Sequence, residues 1–596
     1  MTHDSKPSEF AQIDGLSGSA GFAVGQAFVV DTGRLGVVHR KISLDKAQSE
    51  VERYRKAVDE ARQELQALAE QVRESSGSSA AGVEASILDA YILMVGDQTL
   101  LKDVERGIRD DLHGAEWALE SAVAEMCATL RESKNHYLAE RSHDFEFVRD
   151  RILRCLTGQK KGLVLPTSGE PVILVAHDLS PAETAALNKR MVLGLICEVG
   201  TRTSHTAILA RALEIPAVVG AHGALEKIAN GEQLVLDGVH GKVIVEPSAE
   251  RLRELQPQAE RYYALARGLR ERRDEPAVLA DGLPIQLQSN IELILEAELA
   301  KEQGAQGIGL YRTEFLYIDR QSPPSEEEQY EAYRQVVEAM APLPVTLRTF
   351  DIGGDKFVST IKMPQDMNPA LGLRAVRLGL SQPELFKTQL RAMIRASAHG
   401  SIKIMVPMVS SLSELRAVRA LLAEAVLEVD RHGHAHAEHI ALGCMIEIPS
   451  AAILAEEFAR EADFLSIGTN DLVQYTLAVD RTSRELARLA SYFDPAVIRL
   501  IKQVIQAGKF RKRDVSVCGT MASDPLAAIL LVGMGLRSLS MEASALPEVK
   551  AALKRVSRAD AEDAADTAFE ATTAQELEQG IAQRFAPLLA DILDPE

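Results

Sequence analysis

The sequence has few cysteines, and no stretch of it reads as a signal peptide or a membrane span. The five cysteines are scattered through the chain without CxxC spacing; they are Cys127, Cys155, Cys197, Cys444 and Cys518. This spacing indicates neither a zinc knot nor a disulfide framework, and it predicts a reducing compartment. The first ten residues, MTHDSKPSEF, contain no apolar core, and no uninterrupted apolar run reaches membrane length. We therefore expect a cytoplasmic protein that does not insert into a membrane.

Positive charge is also scarce. The chain has 66 lysines and arginines against 86 acidic residues, and its formal net charge is -20. No long basic run offsets this charge, which argues against a general nucleic-acid binder and fits a basic protein partner better. An anionic small substrate would need a local cluster of arginines.

At 596 residues the chain is too long for one compact core and predicts several domains. Long charged helical patterns with almost no proline, such as AQSEVERYRKAVDEARQELQALAEQV, extend from residue 44 to residue 156. A coiled coil would satisfy the first part of this pattern. Helices folded back on one another need only the same pattern, and we favour a helical bundle.

Strand patterns surround this helical region. PVILVAHDL, MVLGLICEV, PAVVG, QLVLDG and KVIVEP alternate with short helices over residues 160–248, which predicts an α/β unit. A strand near residue 28 is expected to join that unit, so the bundle is an insertion. We assign residues 1–40 and 157–250 to the α/β domain and 41–156 to the inserted bundle. The Arg- and Glu-rich residues 251–275 are assigned to a helical linker.

The remaining residues, 276–596, predict a (β/α)8 barrel. Eight apolar strands alternate with helices: IQLQSNI, GIGLYRTEF, VTLRTFDIGG, IKIMVPMV, IALGCMIEIP, FLSIGTNDL, VSVCGTMA and SLSMEAS. This number of strands and this length are typical of the barrel, with a doubly wound open sheet as the alternative. In a barrel, the polar residues at the strand ends would share one mouth.

One histidine has a distinctive position in the α/β domain. In GTRTSHTAILARALEIPAVVG, Ser and Thr residues precede the apolar periodicity of a helix, so His205 lies at or near a helix N-terminus. The unpaired amides and the helix dipole there favour anions and a neutral, nucleophilic imidazole. A capping or surface histidine would satisfy the same local pattern.

The strand ends of the barrel carry a consistent set of polar residues. The set is Arg312, Glu314, Arg348, Asp351, Asp355, Lys356, Arg374, Glu447, Asn470, Asp471, Arg481 and Cys518. Several arginines at one mouth suit a small molecule that bears phosphate and carboxylate, although one arginine after a strand is usually a surface charge. Glu447 and Asp471 offer hard oxygens to Mg²⁺, or form an ordinary pair of buried acids. Cys518 is either a small buried apolar residue or a thiol that acts as a proton donor or acceptor.

These segments together resemble Enzyme I of the bacterial phosphoenolpyruvate:sugar phosphotransferase system over nearly the whole chain. GTRTSHTAILAR is similar to the phosphohistidine signature of that family. The barrel motifs follow in the family's order: GIGLYRTEFLY, RTFDIGGDK, GCMIEIPSA, IGTNDLVQYTLAVDR and VCGTMASDP. The helical region, including ILDAYILMVGDQTL, resembles the docking domain for the small carrier protein HPr.

The resemblance implies a role for each site residue. His205 would be phosphorylated on Nε2, with Thr184 holding the other ring nitrogen. The residues that would hold phosphoenolpyruvate are Arg312, Arg348, Arg374, Asn470 and Arg481. Glu447 and Asp471 would carry Mg²⁺, and Cys518 would protonate the enolpyruvate carbon as pyruvate forms. The α/β domain would swing between the barrel and a bound HPr, and the barrel would form a homodimer.

Several residues depart from the family pattern, namely Ala20, Tyr91, Thr201, Thr520 and Ser523. Thr520 replaces a glutamate near Cys518, so we expect the protonation step or its conformational coupling to be affected. A phosphoenolpyruvate synthase or pyruvate phosphate dikinase would need an ATP-grasp domain, and we find no pattern for one. The nitrogen-related branch of Enzyme I would be expected to carry a GAF domain, and we find no pattern for that domain either. A non-catalytic binding protein would be favoured by loss of His205, Arg348, Glu447 or Asp471, and all four are present.

Overall fold

The computed structural model describes residues 12–30, 39–75, 91–92, 94–132, 136–157, 170–179, 191–200, 204–317, 322–353, 368–480, 486 and 489–593. The chain divides into two compact units, Met1–Glu260 and Arg261–Glu596. Over the described ranges, no helix combines the length and the apolar character needed to cross a membrane.

The first unit contains an eight-stranded sheet. Its strands are β1 (Gln12–Asp14), β2 (Leu16–Ser19), β3 (Phe22–Val29), β4 (Val172–Ala176), β5 (Val192–Cys197), β6 (Ala217–Val219), β7 (Gln233–Asp237) and β8 (Lys242–Val245). The spatial order is β1-β8-β7-β3-β4-β5-β6-β2. Strand β3 runs parallel to β4, with Gln26 opposite Val172 and Val29 opposite Val175. The predicted joining of the early strand to the later ones is confirmed, and the helical region is an insertion between two neighbouring strands.

The helices of the first unit include those of the insertion. They are α1 (Ala47–Ser75), α2 (Gln98–Arg109), α3 (Ala115–Glu132), α4 (His136–Thr157), α5 (His205–Ala212), α6 (Ala224–Lys227) and α7 (Ala249–Glu271), which crosses the boundary between the units. Asp97 caps α2 by accepting hydrogen bonds from the Thr99 and Leu100 amides, both at 2.9 Å. Leu100, Val104 and Ile108 recur every four residues and are fully buried. Helices α1 to α4 pack on one another, as expected of a bundle.

The second unit is a closed barrel of eight parallel strands. The strands are β9 (Gln286–Ile291), β10 (Ile308–Arg312), β11 (Val345–Arg348), β12 (Ile402–Val406), β13 (Ala441–Ile446), β14 (Phe464–Ile467), β15 (Asp514–Val517) and β16 (Ser538–Glu542). Each strand pairs with the next in chain order, and β16 closes the barrel by pairing with β9. All eight predicted strands form, which confirms the barrel and rules out the open sheet.

Helices surround the barrel and follow its last strand. They are α8 (Glu296–Glu302), α9 (Glu326–Met340), α10 (Ala375–Ser381), α11 (Pro383–Ala396), α12 (Leu412–Arg431), α13 (Pro449–Ile453), α14 (Ala455–Glu461), α15 (Thr469–Leu477), α16 (Pro495–Arg511), α17 (Pro525–Gly533), α18 (Leu546–Leu553), α19 (Arg558–Ala568) and α20 (Ala574–Leu593). Ser325 and Glu328 form a capping box at the start of α9. The main hydrophobic core of the unit lies between these helices and the strands.

The barrel strands carry both an apolar cluster and a set of polar side chains bonded to one another. Leu310, Met405, Met445 and Phe464 pack together with Cys518. The polar side chains that bond across neighbouring strands are Gln288, Asn290, Ser466, Ser516, Ser538 and Ser540. Barrel interiors are usually filled with branched apolar side chains, so the set of bonded polar side chains is a departure from the usual pattern.

Candidate active site at the carboxyl ends of the barrel strands

Four of the predicted site residues of the barrel lie at the carboxyl ends of its strands or directly after them. Arg312 and Arg348 are the last residues of β10 and β11. Glu447 follows β13, and Cys518 follows β15. Since parallel strands of a closed barrel end on the same face, the fold brings these side chains to one mouth.

Arg348 is buried between two carboxylates. It is 4% exposed, its Nη2 donates to Oε1 of Glu314 at 2.5 Å, and its Nη1 lies 3.5 Å from Oδ2 of Asp351. Burial lowers the pKa of Arg348, but the charges of Glu314 and Asp351 outweigh that effect and raise the pKa above its usual value. The guanidinium is therefore a fixed positive charge in a site from which water is largely excluded.

Arg374 shares one of these carboxylates. It is 1% exposed, and its Nε and Nη2 donate to Oδ1 of Asp351 at 3.2 and 2.8 Å. Its Nη2 lies 3.8 Å from Oδ2 of Asp471, and its Nη1 donates to the Tyr475 hydroxyl at 3.2 Å. Asp351 thus holds both Arg348 and Arg374, and a continuous chain of alternating charges lines the mouth.

Arg312 is the more accessible of the three arginines. Its side chain is 28% exposed and forms an ion pair with Glu292, which follows β9. Burial lowers the pKa of Arg312, but the charge of Glu292 acts in the opposite direction, and the pKa is above its usual value. A guanidinium has five N–H donors, so this pairing leaves donors for an anion that enters the mouth.

Glu447 and Asp471 are the two acidic residues predicted to hold a metal. Both are buried, at 2% and 5% exposure. Oε1 of Glu447 accepts a hydrogen bond from the Met408 amide at 2.6 Å. A Cβ atom at position 468 would lie only 2.7 Å from Oε2 of Glu447, and the glycine at that position leaves space for this oxygen. Burial, then the charges of Asp471 and Asp351, raise the pKa of Glu447. A crowded, buried set of hard oxygens of this kind fits a small divalent cation.

The same two carboxylates do not form a complete protein cage for a metal. Across the part of the chain that the structure describes, no group of three or more histidine, cysteine or acidic side chains is arranged to hold a metal ion. Mg²⁺ commonly takes one or two carboxylates and completes its shell with water and substrate phosphate. The pair therefore fits Mg²⁺ only as part of a complex with a phosphate-bearing ligand.

Asn470 and Thr520 are bonded to one another. The Thr520 amide and hydroxyl both donate to Oδ1 of Asn470, at 3.0 and 2.8 Å. With its oxygen occupied, the Asn470 side chain presents its NH₂ group elsewhere. Gly519 packs against the neighbouring Thr469, whose hydroxyl and amide nitrogen would lie 1.8 and 2.7 Å from a Cβ added there. Thr520 thus bonds to Asn470, whereas the sequence departure suggested an effect on Cys518.

Cys518 is a buried thiol at the centre of this arrangement. It is 2% exposed, and the Ser466 hydroxyl donates to its Sγ at 3.2 Å. Burial raises the pKa of the Cys518 thiol to about 11, although the Ser466 hydrogen bond acts in the opposite direction. The residue is therefore protonated near neutral pH, which is the form that can give up a proton.

His205 belongs to the first unit and is the first residue of α5. Ser204 caps the helix by accepting the Ala207 amide at 3.4 Å, and the Thr206 hydroxyl donates to the Leu179 carbonyl at 3.3 Å. The predicted helix-terminal position of His205 is confirmed. The structure describes the backbone of His205 but not its side chain. The predicted residues that lie outside the described ranges are Thr184, Thr201, Asp355, Lys356 and Arg481.

Three residues of the site escaped the sequence analysis. Glu292 pairs with Arg312, Tyr475 accepts from Arg374, and Ser466 donates to Cys518. Glu292 carries the same signal as the residues that were found, because it is an acidic side chain directly after a strand. Ser466 is a serine inside the apolar run FLSIG, which by itself indicates only a buried hydroxyl.

Comparison with known proteins finds matches over nearly the whole chain. Three family models match: "PEP-utilising enzyme, N-terminal" at residues 14–141, "PEP-utilising enzyme, mobile domain" at 168–241 and "PEP-utilising enzyme, PEP-binding domain" at 266–558. The chain is 39% identical to the phosphoenolpyruvate-protein phosphotransferase of Bacillus sp. (strain S) over 577 residues, which cover 96% of this chain and 98% of the relative. It is 38% identical to that of Bacillus subtilis (strain 168), covering 96% and 100%. The chain therefore belongs to the phosphoenolpyruvate-protein phosphotransferase family.

Proposed function

We propose that this protein moves the phosphoryl group of phosphoenolpyruvate first to its own His205 and then to a histidine of HPr. Pyruvate is released, and the reaction is the first step of sugar uptake by the phosphotransferase system. Family membership establishes phosphoenolpyruvate-dependent phosphoryl transfer in that system. The observation that supports the finer assignment is the single mouth that contains three arginines, a protonated thiol and four buried acids, namely Glu314, Asp351, Glu447 and Asp471.

The arginines supply the substrate site. Arg312, Arg348 and Arg374 present planar donor groups that match phosphate and carboxylate oxygens. Their acidic partners fix them before substrate arrives, so little reorganisation is needed when charge spreads over the transferring group. Asn470 adds a neutral donor, and the resemblance adds Arg481.

Glu447 and Asp471 would hold Mg²⁺ together with the substrate phosphate. When bound, the ion would supply positive charge to the phosphate, and it would offset the burial and the charges of Asp471 and Asp351 that raise the pKa of Glu447.

The chemistry needs one bond change at phosphorus and one at carbon. Nε2 of His205 attacks phosphorus in line with the enol oxygen, the P–O bond breaks, and an N–P bond forms. The electron pair left on oxygen becomes an enolate, and Cys518 gives its proton to the methylene carbon to make pyruvate. Thr184 would hold the other ring nitrogen of His205 during the attack.

Each domain has one task in this proposal. The α/β domain of residues 1–40 and 157–250 carries the phosphoryl group between the barrel of residues 276–596 and HPr. HPr docks on the helical insertion of residues 41–156, and residues 251–275 link the moving parts. We place the enzyme in the cytoplasm as a homodimer joined through the barrel.

The test uses phosphoenolpyruvate labelled in the phosphoryl group, Mg²⁺ and purified HPr. We expect acid-labile, base-stable label on His205, located by mass spectrometry, and transfer of that label to HPr. A His205→Ala variant should take up no label and pass none to HPr. His240→Ala is the matched control, since His240 is an exposed histidine of the same unit, and it should remain active. Phosphorylation of HPr by His205→Ala would overturn the proposal, as would label transfer that chelation of Mg²⁺ leaves unchanged.

A further inference from the structure

Two serine hydroxyls lie in a row behind the Cys518 thiol. The Ser516 hydroxyl donates to Oγ of Ser466 at 3.1 Å, and the Ser466 hydroxyl donates to Sγ of Cys518 at 3.2 Å. Ser466 and Ser516 are directly opposite one another on β14 and β15. Ser516 is partly exposed, whereas Ser466 is 1% exposed. The register of two strands therefore builds a short chain of hydroxyls that ends at the sulfur.

The bonding of Ser466 is unusual for a hydroxyl that serves only to pack. A buried hydroxyl is costly unless it is well bonded, and sulfur is a weak acceptor compared with a carbonyl oxygen. Since Ser516 fills an acceptor position of Ser466, the Ser466 proton is directed to the thiol. Apolar side chains also lie close by: Phe464 is on the same strand as Ser466, Met445 is its register partner on β13, and both pack in one cluster with Cys518, so an apolar residue would suit position 466 on packing grounds alone.

We propose that Ser466 is a positioning residue for Cys518. Its hydroxyl aims the thiol and stabilises the thiolate that remains after proton transfer to the enolate. This inference rests on the proposed role of Cys518 as the proton donor.

Proton transfer breaks the S–H bond of Cys518 and forms a C–H bond at the methylene carbon. The C=C π pair of the enolate forms the new C–H bond, a lone pair of the enolate oxygen forms the C=O bond of the ketone, and the S–H electron pair stays on sulfur. Sulfur is left with a negative charge in a buried site, where the Ser466 hydrogen bond becomes charge-assisted and therefore stronger. The thiolate takes a proton from solvent water before the next turnover.

The charged groups that act on the sulfur come from three other strands. Glu447 disfavours the thiolate, while Arg348 and Arg312 favour it. The Ser466 hydroxyl bonds to Ser516 and Cys518, so we expect a change confined to Ser466 to leave these three charges in place and to test the hydroxyl alone.

The matched variants are Ser466→Thr and Ser466→Val, which have the same shape and differ in the hydroxyl. In a single turnover, label on His205 and keto-pyruvate are measured together, with lactate dehydrogenase reporting the keto form. We expect all variants to phosphorylate His205, and keto-pyruvate to form about tenfold more slowly in Ser466→Val because one hydrogen bond to a charged group is lost. Ser466→Thr should retain the wild-type rate.

A second readout follows the thiol itself. At pH 9 the rate of methanethiosulfonate labelling of the Cys518 peptide, measured by mass spectrometry, reports the thiolate fraction. It should fall about tenfold in Ser466→Val and not in Ser466→Thr. The peptide of Cys155, in the other unit, is the internal control and should react at an unchanged rate.

Equal pyruvate rates in the Val and Thr variants would overturn the inference, whether both equal the wild type or both fall together. A Cys518→Ala variant separates this failure from failure of the proposed role. If Cys518→Ala forms keto-pyruvate as fast as the wild type, Cys518 is not the proton donor and the inference fails with it. If Cys518→Ala is slow and Ser466→Val is not, the donor assignment stands and only the role of Ser466 is wrong.

Discussion

Replacing Asp351 by asparagine removes the charge that Arg348 and Arg374 share. Asparagine has nearly the same size, but it has one acceptor oxygen and no charge to set against two buried guanidinium groups. Breaking a buried ion pair costs about 3–5 kcal/mol when the remaining charge is left uncompensated. Here Arg348 keeps its bond to Glu314, and Arg374 stays 3.8 Å from Asp471, so we expect the lower end, about 3 kcal/mol. For a unit as long as Arg261–Glu596, the unfolding entropy is about 0.7 kcal/mol per kelvin, which converts this cost to a fall in Tm of about 4 °C.

Calorimetry of the full chain measures this shift, and Glu461→Gln is the control. Glu461 pairs with Arg416, whose side chain is 64% exposed, so its loss should change Tm little. We also expect the KM for phosphoenolpyruvate to rise in Asp351→Asn, because both arginines lose their common anchor. If the two variants have the same Tm and the same KM, the buried charge chain does not hold the substrate arginines in place.

Three further predictions concern other parts of the molecule. Thr520→Val should raise the KM for phosphoenolpyruvate, because the Asn470 side chain loses the hydroxyl that donates to its Oδ1. Thr520→Ser keeps a hydroxyl and should leave the KM unchanged, and steady-state kinetics measures both values. Gly519→Ala should lower both kcat and Tm, since the added carbon would come within 1.8 Å of a side-chain hydroxyl and 2.7 Å of a backbone nitrogen; equal Tm in the variant and the wild type would contradict this. The hydrogen bond to Asp430 raises the pKa of His436, so protonated His436 stabilises the folded protein at low pH. His436→Gln should therefore lower the free energy of unfolding at pH 5.5, and this difference from the wild type should disappear as the pH rises above the folded pKa. Urea unfolding midpoints of the variant and the wild type at pH 5.5 and 8.5 measure the difference at each pH.

The sequence was sufficient for the barrel strands and for the residues that end them. Each strand is a short apolar run, and a polar residue follows it at the point where the chain leaves the core, as with Arg348 and Glu447. Closure of the barrel then brings residues together that are far apart in the chain. The same logic placed His205 at the first turn of its helix, because Ser204 and the apolar spacing are local signals.

The pairing within the site could not be predicted in this way. Arg312 could bind any nearby acid, and its pairing with Glu292 depends on the register between β9 and β10. The contact of Ser466 with Cys518 joins residues 52 positions apart and depends on the pairing of β14 with β15. The bonds between Thr520 and Asn470 join residues 50 positions apart, and they depend on the pairing of β14 with β15, the strands that precede the two residues.

The parallel pairing of β3 and β4 has a consequence for engineering the first unit. Two parallel neighbours cannot be joined by a tight turn, so the chain between Val29 and Val172 must travel back along the sheet. The helical insertion provides this crossover connection, and it also folds into a bundle of its own. Excising it should leave a stable sheet only if a spacer of a dozen or more residues replaces it, and a two-residue loop at the same position should prevent folding.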